Sequence, residues 1–275
     1  MDFISVHRYP SKSGAHNQFF TSLNDLSSTV KKIDPDWNIH ITAYGVSLGG
    51  YGEIGDHDTS NNAAGFVTFA SQLQMLDSEQ FGIMSFTAFS DLWDQSGVYS
   101  QPFHNGYGWS TMRGIHKPTY RVLELLHKYA SDREYFLGLN VNTANSSVEL
   151  LVTVNESKDE IVLFLANWMP GTQNISDQTV NIVMENVKGL SNVPEYATIM
   201  RMDSENTNPA QVWKSIGSPT YPTPEQLDIV KDASEIVPNT INIDSVGNSI
   251  KFDVDLPVYG VAVVVIELSI NGESN

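Results

Sequence analysis

The stretch WNIHITAYG, residues 37–45, decides how this chain is read. Its apolar and β-branched residues run without a breaker until Gly45, which predicts a buried β-strand over 37–44 that opens into a loop. On its N-terminal side, Phe19, Phe20, Leu23, Leu26, Val30 and Ile33 recur at helical spacing, so residues 17–33 form a helix that Pro35 ends. On its C-terminal side a glycine-rich loop, Gly45 to Asp58, leads to a second helical pattern over 60–77. That pattern has Ala63, Ala64, Val67, Phe69, Ala70, Leu73 and Leu76 as apolar positions and Thr59 or Ser60 as N-cap. A short strand precedes all of this, DFISVHRYP at 2–10, stopped by Pro10. A third strand, Phe81 to Phe89, is followed by a long loop and by a helix from Pro118 to Tyr129. Strand and helix thus alternate three times, the repeat unit of an α/β barrel or a doubly wound sheet. The long loops follow strands, at the end where such folds place their chemistry.

Past residue 133 the pattern changes. The runs 148–154, 161–166, 180–184, 198–202, 250–254 and 261–268 are short, rich in β-branched residues and separated by turn residues. They predict a β-sandwich over 134–275, with one helix at 223–233 announced by the TPEQ start signal. The fold class expected is therefore α/β followed by all-β.

Fifteen basic and 32 acidic residues give a formal net charge of −17. This argues against nucleic acid or an anionic membrane as partner, since both need a cationic surface. The chain has no cysteine, so disulfides and thiolate metal sites are excluded. No apolar run is long enough to span a bilayer and no signal peptide is expected, which leaves a soluble protein of undetermined compartment. Sequons stand at Asn145, Asn155 and Asn174. Gly49-Gly50-Tyr51-Gly52 fits neither a phosphate-binding loop nor a dinucleotide fingerprint, and His57, Asp58 and His104 lack metal-ligand spacing. No cofactor and no metal are expected.

An ordered set of short motifs carries a more specific signal: DFISVHRYP at 2–10, ITAY at 41–44, HDT at 57–59, FSDLWDQ at 89–95, PFHNGYG at 102–108 and GIHKP at 114–118. Further on stand RMD at 201–203, Asn208-Pro209, Trp213 and GSPTYP at 217–222. In this order they resemble glycoside hydrolase family 39, the family of β-xylosidases and α-L-iduronidases. The resemblance implies a (β/α)8 barrel followed by a β-sandwich, with this chain holding strands six to eight in 1–133 and the sandwich in 134–275. It implies retaining hydrolysis of β-xylosides by two carboxyl groups, a nucleophile and an acid/base, about 5–5.5 Å apart.

The resemblance also implies what is altered. The nucleophile Glu follows the Thr of the strand-six motif, and Ala43 occupies that position, whether by natural loss or by an introduced change. The acid/base belongs to a fourth strand that is not expected within these residues. Glu53 is a weak substitute carboxylate in the glycine-rich loop, with Asp56 and Asp58 as further ones, although Asp58 could equally cap the following helix. His7 and Tyr9 match the family's sugar-contacting His-x-Tyr pair, and His104 and Tyr107 match its His-x-Gly-aromatic-Gly loop. Asp94 stands where the family has a sugar-binding Glu, Gln95 replaces the adjacent Glu, and Thr87 replaces a Trp platform. Gly106 and Gly108 are expected at positive φ, Asp91 in a structural hydrogen-bonding role, and Trp109 in packing. Little or no turnover is expected of this chain, with a non-catalytic carbohydrate-binding or scaffold role as the alternative. Three parallel strands leave two open edges, so self-association or a partner supplying strands one to five is also expected.

Overall fold

The computed structural model describes residues 3–9, 16–46, 54–73, 81–84, 89–91, 101–131, 134–135, 147–169, 175–185, 190–192, 194–246 and 249–270. The first part alternates β1 (Phe3–Arg8), α1 (His16–Ile33), β2 (Asn38–Tyr44), α2 (Ser60–Leu73), β3 (Phe81–Met84) and α3 (Pro118–Ala130), with a short 3-10 turn at Asp56–Asp58. The three strands form one parallel sheet in the order β1-β2-β3. The strand–helix reading of residues 1–130 thus meets matching elements. Residues 74–80 and 85–88, which end the second helical pattern and the third strand, lie outside the described residues.

The sheet has two unlike faces. Ile39 and Ile41 on β2 are buried, while Phe3, Ser5 and His7 on β1 are exposed. Along α1, Leu23 and Val30 are buried, but Ile33, expected on the same stripe, is 66% exposed at the last turn. Helix α2 is covered on nearly every side, since Asn62, Thr68 and Ser71 are buried along with its apolar residues. It packs on α3 and on strands of the second part. Gly65 lets α2 come close to the end of β2: a Cβ there would lie 2.2 Å from Val46 Cγ1, and the Gly65 carbonyl accepts a 2.8 Å bond from the Tyr44 hydroxyl.

The second part is antiparallel. Its strands are β4 (Glu134–Tyr135), β5 (Val148–Val154), β6 (Glu160–Asn167), β7 (Gln178–Met184), β8 (Leu190–Asn192), β9 (Tyr196–Met202), β10 (Asn239–Asn242), β11 (Asp244–Val246), β12 (Ser249–Leu256), β13 (Val261–Glu267) and β14 (Ser269–Ile270). They form a six-stranded sheet β10-β9-β13-β6-β5-β4, a three-stranded sheet β11-β12-β7 and the pair β14-β8. Five of the short strands, β4, β8, β10, β11 and β14, had no recognisable run in the sequence.

The texture of each strand follows from what covers it. On β12 burial alternates strictly: Ile250, Phe252, Val254 and Leu256 point into the sandwich core, and Lys251, Asp253 and Asp255 face water. Cross-strand pairs complete that wet face, with Asn181 Nδ2 donating to Asp253 Oδ1 at 2.7 Å and Thr179 Oγ1 to Asp255 Oδ1 at 2.8 Å. On β6 and β13 both faces are apolar. Ile161, Leu163, Leu165, Ala262, Val264 and Ile266 meet β7 and β12, whereas Val162, Phe164, Ala166, Val261, Val263 and Val265 meet α2 and α3. The two parts therefore share one core across the six-stranded sheet.

Two helices connect the end of the sandwich to the loops of the first part: α4 (Pro209–Ser215) and α5 (Pro224–Asp232). The start signal read at Thr223 is a full capping box, in which the Thr223 side chain accepts from Gln226 N at 3.2 Å and Gln226 Oε1 accepts from Thr223 N at 3.0 Å. Thr223→Ala is expected to cost about 1 kcal/mol in urea unfolding, the usual worth of such a cap. Helix α4 was not read from sequence; Asn208 caps it by accepting from Gln211 N at 3.1 Å, and at seven residues it is too short to show a period.

Candidate functional site

The C-terminal ends of β1 and β2 bring the first set of residues together. A register shift after Val6 places His7 opposite Ala43. His7 is exposed, and Ala43 is buried at 1% exposure. The methyl of Ala43 offers no atom that can attack or accept a proton. Tyr9, two residues beyond His7, is half-buried. Burial raises its phenol pKa, and the neighbouring Tyr107 raises it further. The Tyr107 ring stands edge-on to His57, centroids 4.8 Å apart. His7, Tyr9 and Tyr107 thus gather with Ala43 at one end of the sheet, with the buried ring of His57 against Tyr107, although these residues are far apart in sequence.

The other expected residues are placed differently. His104 is 1% exposed, and its Nδ1 lies 3.2 Å from the Gln101 carbonyl, so its ring belongs to the layer under the loop rather than to a surface a ligand can touch. Asp58 neither caps α2 nor is available as a nucleophile. It is fully buried and turned toward Lys117, and Thr59 Oγ1 meets the Asn61 amide at the start of α2 instead. Asp56 is exposed and holds Asn61 Nδ2 at 2.9 Å. Asp94, Glu53, Gln95 and Thr87 lie outside the described residues.

Beneath the rim sits a feature the sequence did not single out. Lys117 Nζ lies 2.9 Å from Asp58 Oδ1 and 3.0 Å from Asp91 Oδ1, with all three side chains fully buried. Asp91 also accepts the Gly108 amide at 2.9 Å, a hydrogen-bonding role in support of the loop. Burial pushes the Asp91 carboxyl above its ordinary value, against the lowering pull of Lys117. For Lys117 burial alone would lower the pKa, but the two carboxylates outweigh it and hold the ammonium above the usual lysine value. The signal that could have found Lys117 is its place in HKP, where Pro118 starts α3 and fixes the preceding side chain at a helix entry.

Gly106 and Gly108 are needed for a reason other than the one expected. Neither has a positive φ; among the described glycines only Gly114 and Gly217 do. A Cβ on Gly108 would lie 2.2 Å from the Asp91 amide nitrogen, and one on Gly106 2.5 Å from Asp91 Oδ1. Close neighbours, not handedness, exclude a side chain there: backbone of Ser90 and Asp91 at Gly108, and the Asp91 and His104 side chains at Gly106.

The site is also tied to the second part. Trp168 Nε1 donates to Asn61 Oδ1 at 2.7 Å. Arg121 on α3 donates through Nε to the Ser234 carbonyl at 2.8 Å and pairs with Glu124 and Glu235. Among the described residues no three His, Asp or Glu side chains group as a metal site would, and no helix is long and apolar enough to cross a membrane.

The chain belongs to glycosyl hydrolases family 39, whose model matches residues 1–248. It is 28% identical over 282 residues to a β-xylosidase of Caldicellulosiruptor saccharolyticus, covering 97% of this chain and 54% of that protein. A β-xylosidase of Geobacillus stearothermophilus is 24% identical over 259 residues, covering 85% of this chain and 45% of that one. The chain therefore spans about half the length of these relatives. Among solved structures, a family 39 enzyme from Xanthomonas axonopodis pv. citri superposes with a TM-score of 0.72 at 17% identity, over 98% of this chain and 55% of that one. A family 39 β-xylosidase from Caulobacter crescentus gives 0.67 at 17% identity, over 97% and 51%. At such identities the likeness is one of fold.

Proposed function

We propose that residues 1–133 are the last three strand–helix units of a family 39 glycosidase barrel, that 134–275 are its sandwich, and that the chain binds β-xyloside-like sugars without hydrolysing them. The single observation that carries this is Ala43: it stands at the C-terminal end of β2, in register with His7, where the family's nucleophilic Glu belongs. A retaining mechanism needs a carboxylate there to form the glycosyl ester, and a methyl group cannot replace it. His7, Tyr9 and Tyr107 make the sugar-contacting rim, and His104 supports that rim from beneath. The family and the β-xylosidase relatives support the substrate class.

The exposed face of β1, carrying Phe3, Ser5 and His7, is the interior of the barrel in this reading. Parallel sheets are covered on both faces in nearly all folds that use them, so the cover comes from further barrel strands, on another segment or a separate chain, or from a second copy of this one.

The test is hydrolysis of a 2,4-dinitrophenyl β-xyloside, whose leaving group departs without protonation and so isolates the nucleophile from the acid/base. No turnover above buffer is expected from the folded chain, while xylobiose binds measurably by calorimetry. Turnover that survives repurification would overturn the inactive reading and direct attention to Glu53 or Asp56.

A further inference from the structure

Three loops, one of which carries Tyr107 of the rim, converge on one buried ammonium. Lys117 Nζ donates to Asp91 Oδ1 at 3.0 Å and to the Gly106 carbonyl at 2.8 Å, and it pairs ionically with Asp58 Oδ1 at 2.9 Å, so it holds a partner on each of three loops. The carboxylates carry the connection outward. Asp58 Oδ2 accepts from Asn105 N at 2.6 Å and Gly55 N at 3.4 Å, and Asp91 Oδ1 accepts from Gly108 N at 2.9 Å. Asn105, held at φ +62°, passes the chain on by accepting the His57 amide at Oδ1, 2.9 Å. Tyr107 of the rim and the buried His57, which meet ring to ring, are thus both fixed through backbone bonds that lead to Lys117.

We propose that Lys117 is the positioning residue of the sugar-facing rim, an ammonium set where a structural cation would otherwise be needed, holding the loops at 55–58, 89–91 and 104–108 in one register. What the rim binds rests on the function proposed above; the clamp does not. The groups that face the ammonium are Asp58 and Asp91, and His104 also bears on the Asp91 carboxyl. With Lys117 the cluster carries a formal charge of −1. Without it two buried carboxylates face each other, and they are relieved only by taking up a proton.

The experiment is amide hydrogen exchange on the full chain and on Lys117→Met. At pH 7 the Asn105, Gly108 and His57 amides are expected to lose protection on the order of a hundredfold in the variant, while amides of β6 and β13 keep theirs. Lowering the pH is expected to restore part of that protection in the variant, because burial already raises the Asp91 carboxyl and its protonation removes one of the two facing charges, a response a merely space-filling lysine would not produce. If Lys117→Met does not fold, Asp58→Asn/Lys117→Met/Asp91→Asn removes every charge, and it is expected to keep sandwich protection while the same loop amides open. Unchanged protection of these amides in the variant that folds, or in Lys117→Met a loss that acid does not reverse, would overturn the proposal. A separate titration with xylobiose is expected to weaken at least about tenfold in either variant. Absence of binding by the unmodified chain would instead count against the functional reading and leave the exchange result to decide the clamp.

Discussion

Gly108→Ala is expected to destabilise the chain by about 3 kcal/mol or more, and to do so through the loop that carries Tyr107. The added Cβ would stand 2.2 Å from the Asp91 amide nitrogen and 2.4 Å from the Ser90 carbonyl carbon, both backbone atoms. A flexible side chain could swing away from such a contact, but a backbone cannot. Ser90 and Asp91 are also fixed from the other side, because the Asp91 amide donates to the Ser110 carbonyl at 3.0 Å. Relief therefore requires breaking this bond or the 2.9 Å bond from Gly108 N to Asp91 Oδ1. Overpacking of this kind costs about 1–3 kcal/mol where side chains can yield, and loss of a bond to a buried carboxylate adds about 1.5–3 kcal/mol. Urea unfolding monitored by tryptophan fluorescence measures it. A loss below about 1 kcal/mol would mean that the 89–91 and 104–108 segments yield easily, which would also weaken the argument for the Lys117 clamp.

Trp213→Ala is expected to cost about 3–5 kcal/mol, the range for truncating a large buried aromatic. Trp213 is fully buried on α4 and forms a small core with Phe103, Ile115, Ala210 and Val230. Its ring lies 6.4 Å from that of Phe103, the residue that precedes His104. The cavity would thus open directly under the 103–108 loop, so thermal melting should show the loss of stability and limited proteolysis should cut first near residues 103–115. A variant that melts as the unmodified chain does would show that α4 is a passenger and not a support of the site.

Much of the architecture could be read directly from the pattern of residues. The runs at 148–154, 161–166 and 261–268 fall on β5, β6 and β13 because uninterrupted β-branched residues have few alternatives to a strand. The Thr223 cap and the Pro118 start are local signals, complete within four residues, and both helices begin where they stand. Short strands such as β8, β10 and β11 were invisible because they exist only through their partners: Thr240 pairs with Thr198 and Ser245 with Ile250, and neither short segment has a period of its own. The glycine argument failed at Gly106 and Gly108 for a related reason. Sequence can say that a glycine is needed, but only the fold shows whether handedness or a close neighbour needs it.

The same division holds for the site. The sequence by itself determined that residue 43 is an alanine in a strand-end motif of family 39, and that His7, Tyr9, His104 and Tyr107 are the residues to watch. It could not determine that His7 stands opposite Ala43, that His104 lies under the loop while Tyr107 lies in the rim, or that Asp58, Asp91 and Lys117 form one cluster. Those facts depend on contacts between residues far apart in the chain, from 17 positions between Asp91 and Gly108 to 59 between Asp58 and Lys117. Strand and helix periodicity is written in neighbours along the chain and survives in the sequence alone. Charge pairing and burial are written in neighbours across space, and in this protein they appear only once α2, α3 and the six-stranded sheet have closed over a common core.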